Sequence, residues 1–185
     1  MKKDVEKGTK VLRKFGGVKS FRAPYFRPHK KLATILDGLG YRCDSSVPSK
    51  RFDMFIGRTS NPNNLLCPMS PYHPSKENIF VKGESEIAEI PLTAFILPLL
   101  GVTMRNIGLS LFTRLVDFVN LFSDVIVIDV HTWEFLKAPE ARIRHRRRRG
   151  EEMVIMFDAL LQYLKRKGTF IMLSDLINKN RDITS

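Results

Sequence analysis

Val125-Ile126-Val127-Ile128-Asp129-Val130-His131 decides how the rest of the chain is read. Five β-branched residues in six positions favour an extended backbone, and a continuous apolar run suits a strand covered on both faces. Such strands belong to parallel sheets, where helices pack on either side. Working outward, residues 108–122 precede the run, with Phe112, Leu115, Val116, Val119 and Phe122 at helical spacing. Residues 151–167 follow it, with Val154, Phe157, Leu161 and Leu164 aligned and Gly168 as a stop. Residues 169–173 then read as a last strand.

The amino-terminal half repeats the alternation. Residues 4–15 read as a helix closed by Gly16-Gly17, and residues 18–21 as a short strand. Pro28 opens and Gly40 closes a helix over 28–39, with Leu32, Ile35, Leu36 and Leu39 on one face. Strands are expected at 41–43 and 87–90. Between them, residues 45–86 are rich in Pro, Ser and Asn and read as a long, ordered loop excursion. The pattern predicts an α/β fold, an open sheet or a barrel, with about five strands, fewer than a closed barrel needs.

Composition narrows the function. The chain has 185 residues and a net charge of +12, which attracts polyanions: nucleic acid, acidic glycans or anionic membrane surfaces. Six arginines lie between Arg142 and Arg149, and a second basic group runs from Lys2 to Lys19. The arginine run has few interleaved aromatics for base stacking, so it reads as a solvated loop without a specific nucleic-acid partner. Cys43 and Cys67 offer no zinc-finger spacing and read as free thiols. The most apolar stretch, 90–100, is too short and proline-broken to span a bilayer. With no apolar leader after Met1, a cytoplasmic location is expected.

Two places carry possible chemistry. In a parallel architecture the carboxy ends of strands hold the functional groups. Arg22, directly after the 18–21 strand, could fork onto a carboxylate or stand as an ordinary surface arginine. His131, at the end of the 125–130 strand, could shuttle protons or be a core histidine held by a carbonyl. Both are expected to open onto one shared cleft.

Taken together, the segments Phe21-Arg22-Ala23-Pro24-Tyr25-Phe26-Arg27-Pro28, Leu39-Gly40-Tyr41 and Asp44-Ser45-Ser46-Val47 resemble the third motif region of NodB-homology polysaccharide deacetylases. Pro71-Tyr72-His73-Pro74-Ser75 and Glu89-Ile90-Pro91 resemble loops of one branch of that family, and His131-Thr132-Trp133-Glu134-Phe135 resembles its late histidine motif. The resemblance covers about residues 5 to 177. It implies a partial, distorted (β/α) barrel over residues 1–177, incomplete at the amino terminus, with a tail at 178–185. It implies hydrolysis of an acetamide on an N-acetylated glycan, assisted by a divalent metal such as zinc. His131 would be the acid that protonates the leaving amine, and Arg22 would orient the base carboxylate. The Tyr25 N–H would face the oxyanion. Val130 would line the acetyl pocket, and Tyr72 and Trp133 would contact substrate.

The metal and base motifs of that family, a Thr-Phe-Asp-Asp-type and a His-x-x-x-His-type segment, have no counterpart here. The four histidines, His29, His73, His131 and His145, include no pair four apart, and no Asp-Asp pair exists. The expectation is a chain without its own metal, inactive alone, and able to self-associate through an unpaired sheet edge. Two rivals stand beside this one: a glycan-binding remnant using the Tyr25 to Tyr72 region, and a basic nucleic-acid binder acting through Arg142–Arg149.

Overall fold

The computed structural model describes residues 2–51, 61–137, 147–173 and 175–176. It is a mixed helix and strand fold built on a small parallel sheet. Strands β1 (Ser20–Phe21), β2 (Cys43–Asp44) and β3 (Ala88–Glu89) lie in that order, all parallel. Their register pairs Phe21 with Asp44 and Asp44 with Glu89. Beyond β3 the chain forms a tight antiparallel pair, β4 (Ala94–Phe95) and β5 (Leu97–Pro98), with Ile96 at its tip.

Helix α1 (Lys2–Leu12) packs by Val5 and Thr9 beside β1, and α2 (Leu32–Gly38) buries Leu32, Ala33 and Leu36. Helix α3 (Gly101–Ile107) runs into α4 (Leu109–Asn120), and α5 (Glu151–Lys165) follows in the carboxy-terminal part. The expected 108–122 helix is therefore preceded by another, and Gly108, at φ 85°, makes the corner. A side chain at that φ is disfavoured, which is why glycine stands there. Leu99, Met104, Phe112, Val116, Val119, Met153 and Leu160 form the core between these helices and the sheet.

Residues 125–130 form no strand of the parallel sheet; they meet the residues flanking the β4–β5 pair by single contacts rather than a full ladder. Thr93 N–H donates to Val127 O, Asp129 N–H to Leu99 O, and Gly101 N–H to Asp129 O. All six residues are half-buried rather than covered on both faces. The strand expected at 169–173 is a correction: residues 169–172 pair with no described strand, and a helical turn begins at Leu173. Phe170, Ile171 and Met172 stand exposed instead of being buried in a sheet. Among the described residues the ladder does not close into a barrel.

The proline-rich excursion is ordered over its described parts. Tyr72 pairs with Glu89 and Pro74 with Lys82 in isolated antiparallel bridges. Gly83 sits against Ser75 so closely that an added Cβ would lie 2.4 Å from the Ser75 Cα. Gly83→Ala is expected to cost about 1–3 kcal/mol by overpacking, visible as a lower melting temperature by circular dichroism. Gly17→Ala, which meets nothing within 4 Å, should leave the melt unchanged. Equal melts for both variants would contradict the packing account.

Of the arginine run, Arg142, Arg144 and Arg146 lie outside the described residues, as do His145 and the 178–185 tail. Arg148 donates to Arg105 O at 2.7 Å and pairs with Glu152 at 3.5 Å, and Arg149 lies over Trp133. These two serve the fold's own contacts. Cys43 and Cys67 are free and buried, and burial pushes the Cys67 thiol up to about 12. No helix among the described residues is long and apolar enough to cross a membrane.

Candidate active site

Arg22 leaves β1 at its carboxy end, where the strand's direction carries it toward the end of the 125–130 segment. Its guanidinium spreads over three acceptors: Nε donates to Ser45 O at 2.9 Å, one terminal nitrogen to Ser45 Oγ at 2.9 Å, and the other to Asp129 Oδ1 at 2.6 Å. The second Asp129 oxygen lies 3.5 Å from His131 Nδ1. One carboxylate thus bridges Arg22 and His131. Asp129 and His131 are two apart on an extended segment, so their side chains fall on the same face. With Nδ1 turned to Asp129, Nε2 is the nitrogen left for a ligand, and the side chain is half exposed.

The backbone of His131 is fixed from below. Its N–H donates to Glu134 Oε2 at 3.0 Å across the short 3₁₀ turn Thr132–Phe135. Glu134 Oε1 in turn accepts from Arg105 Nε at 2.9 Å, and both side chains are fully buried. The Arg105 guanidinium also reaches Arg147 O at 2.8 Å. Trp133 lies between two guanidinium groups, with Arg149 4.9 Å and Arg105 5.5 Å from its ring centre. Its ring remains partly exposed and stands 5.5 Å from that of His131.

On the far side of Arg22, the Pro24–Phe26 turn carries two consecutive residues in the left-handed region, Tyr25 at φ 57° and Phe26 at φ 54°. Neither is a glycine, and such conformations persist where surroundings enforce them. Here the Arg22 guanidinium lies over the Phe26 ring at 5.2 Å. The Tyr25 side chain projects into solvent.

Two expected contacts are corrected. Tyr72 is 1% exposed, and its hydroxyl donates to Ile79 O at 2.5 Å, so it is a core residue with no surface for a ligand. Val130 turns away from the Asp129–His131 face, as alternation requires, and packs against Gly101 in the helical core. Arg22 holds the chain's own Asp129, a residue the sequence reading had left aside although its position two before His131 was a usable signal. Also unforeseen is a carboxyl pair near Arg22, Asp44 and Glu89, both wholly buried and directly paired across β2 and β3. Their oxygens take donors from Ser46 Oγ at 2.5 Å and Val47 N at 2.9 Å. Burial above all holds the Glu89 proton well above the ordinary range, reinforced by Asp44, and pushes Asp44 up to about 6.

A catalytic zinc takes three protein ligands and an open position. Among the described residues no group of three His, Cys, Asp or Glu could hold a metal ion. Asp129 is engaged by Arg22 and Glu134 by Arg105, and His73, in the excursion, turns Nδ1 to the Ser85 and Ile87 carbonyls. The donor set here does not fit a divalent metal.

No protein-family model matches the chain, and no curated protein or solved structure matches it either.

Proposed function

We propose that this chain carries the proton-transfer part of an amide-hydrolysing centre of the polysaccharide deacetylase type, on part of a distorted (β/α) barrel. The observation that carries the reading is the continuous Arg22–Asp129–His131 array at the carboxy ends of the parallel segments. Arg22 fixes the carboxylate, the carboxylate orients the imidazole, and His131 presents Nε2 to a leaving nitrogen as general acid. Tyr25, with its strained backbone, is the candidate oxyanion donor next to Arg22 in the chain. Trp133 supplies an exposed aromatic face for a sugar ring. The described residues carry no metal-ligand set, so the base and any metal must come from polypeptide outside them, and this chain alone is expected to be inactive. The exposed Phe170, Ile171 and Met172 and the half-covered 125–130 segment mark the flank where such polypeptide, or a second copy, would pack.

Trp133 is the only tryptophan in the chain, so intrinsic fluorescence reports on this site alone. Titration with N-acetylated chitin oligomers is expected to change its emission saturably, and His131→Ala should weaken the response. An emission indifferent to acetylated oligomers, at concentrations that saturate ordinary sugar-binding sites, would count against the glycan reading.

A further inference from the structure

The basic group at the amino terminus has no part in the cleft, and α1 gives it a shape. Lys3, Lys7, Lys10 and Lys14 recur at spacings of four and three, which places them on one helical face. All four are exposed. Beside this row lie Val11, about half exposed, and Phe15, 86% exposed in the turn that continues the helix through Phe15 N–H to Leu12 O, whereas Leu12 falls on the Val5–Thr9 side. Seven cations stand against two carboxylates between residues 2 and 19, and one of those carboxylates, Glu6, lies near Lys2 at 3.9 Å.

The opposite face holds the helix to the body. Thr9 Oγ1 bonds the Tyr41 hydroxyl at 2.8 Å, and Arg13 donates to Leu39 O. The lysine row and the apolar edge therefore point outward together. Leu12 also borders a largely apolar cavity of about 520 Å³ between α1 and β1, walled by Val5, Val18, Phe21 and Leu32. An exposed phenylalanine beside lysines is costly in water and suited to one kind of partner. That partner offers negative charge at its surface and hydrocarbon just beneath.

We propose that the outer face of α1 and the turn after it dock on an anionic lipid surface, the lysines over headgroups and Val11 and Phe15 at the acyl boundary. A helix lying in the interface needs this pairing of a basic face with a modest apolar edge. Nucleic acid would satisfy the lysines but give Val11 and Phe15 nothing to enter. The inference is independent of the reading of the Arg22–His131 cleft.

The test is co-sedimentation of the full chain with vesicles of phosphatidylcholine and phosphatidylglycerol, with phosphatidylcholine vesicles and duplex DNA in parallel arms. Binding is expected on the anionic vesicles only, weakening as salt rises. Lys7→Glu with Lys14→Glu should lower the partition by about 25-fold or more, from roughly fivefold per lysine. Phe15→Ser should lower it roughly tenfold. All three positions are exposed, and unchanged melting curves would verify that folding is intact. Equal binding to neutral vesicles, anionic binding insensitive to Phe15→Ser, or binding to DNA without binding to vesicles would each overturn the proposal.

Discussion

Glu134→Ala is expected to lower stability by about 3–5 kcal/mol, the usual cost of stranding one member of a buried ion pair. In a chain of this size that corresponds to a melting temperature lower by roughly 6–20 °C. Arg105 and Glu134 are both fully buried and meet at 2.9 Å. Without the carboxylate, the buried Arg105 guanidinium of α3 loses its Glu134 ion pair, and the His131 N–H loses its acceptor at 3.0 Å. Removing both charges together should hurt less, because an apolar or neutral pair can replace a buried ion pair at little net cost. Arg105→Met with Glu134→Gln keeps a carbonyl for the His131 N–H and is expected to recover part of the loss. Thermal melts of Arg105→Met, Glu134→Gln and the double variant give the coupling directly. A loss below about 1 kcal/mol for Glu134→Ala, the range of an exposed pair, would contradict a fully buried one.

The second large effect is a pH dependence set by Asp44 and Glu89. Each carboxyl accepts one good hydrogen bond, and the two oxygens left over, Asp44 Oδ2 and Glu89 Oε2, have no donor unless one group keeps a proton. In the unfolded chain both ionise near pH 4. In the folded chain Asp44 holds its proton to about 6 and Glu89 to well above its ordinary value. The folded state therefore binds more protons across that window, and stability falls as pH rises through it. The stabilisation is full below the unfolded values and is lost progressively up to the folded ones. Glu89→Gln supplies a permanent N–H to Asp44 at similar volume. It is expected to flatten the decline and to raise the melting temperature at neutral pH by about 2–4 °C for each kcal/mol recovered. Melts from pH 4 upward check this, and a wild-type curve that rises across the same range would refute the shared proton.

Helices were legible where apolar residues recur at the right interval. Phe112, Val116 and Val119 announce α4, and they are buried in it. Helix α3 escaped because one of its buried residues is Arg105, a charge that ordinarily marks a solvent face. The 45–86 excursion reads as surface from its serines and prolines. Ser45, Ser46 and Ser49 are nevertheless buried, with Ser46 bonding Asp44 and the Ala23 N–H. Short polar side chains can enter a core when each finds a partner, and composition does not reveal the partner. The 125–130 and 169–173 runs carry the apolar content of covered strands, but a strand also needs a neighbour, and the runs themselves do not encode one.

The site divides in the same way. Arg22 and His131 were visible because each ends a strand-like run. Asp129 was within reach of the alternation rule. Asp44 and Glu89 were not, because only the strand register brings residues so far apart in sequence into direct opposition. Tyr72 was assigned to substrate by resemblance, whereas its hydroxyl is fully used by the Ile79 carbonyl.

The most direct measurement is acetate release from N-acetylated chitin oligomers in the presence of zinc. It would be made on this chain and on the chain extended by a segment carrying Asp-Asp and His-x-x-x-His motifs. No release is expected from the chain alone. The extended chain is expected to turn over, and His131→Ala should reduce that rate by about 10²–10⁴, the worth of a positioned general acid. His131-dependent, zinc-dependent release by the chain alone would contradict the account, as would turnover of the extended chain that ignores His131→Ala.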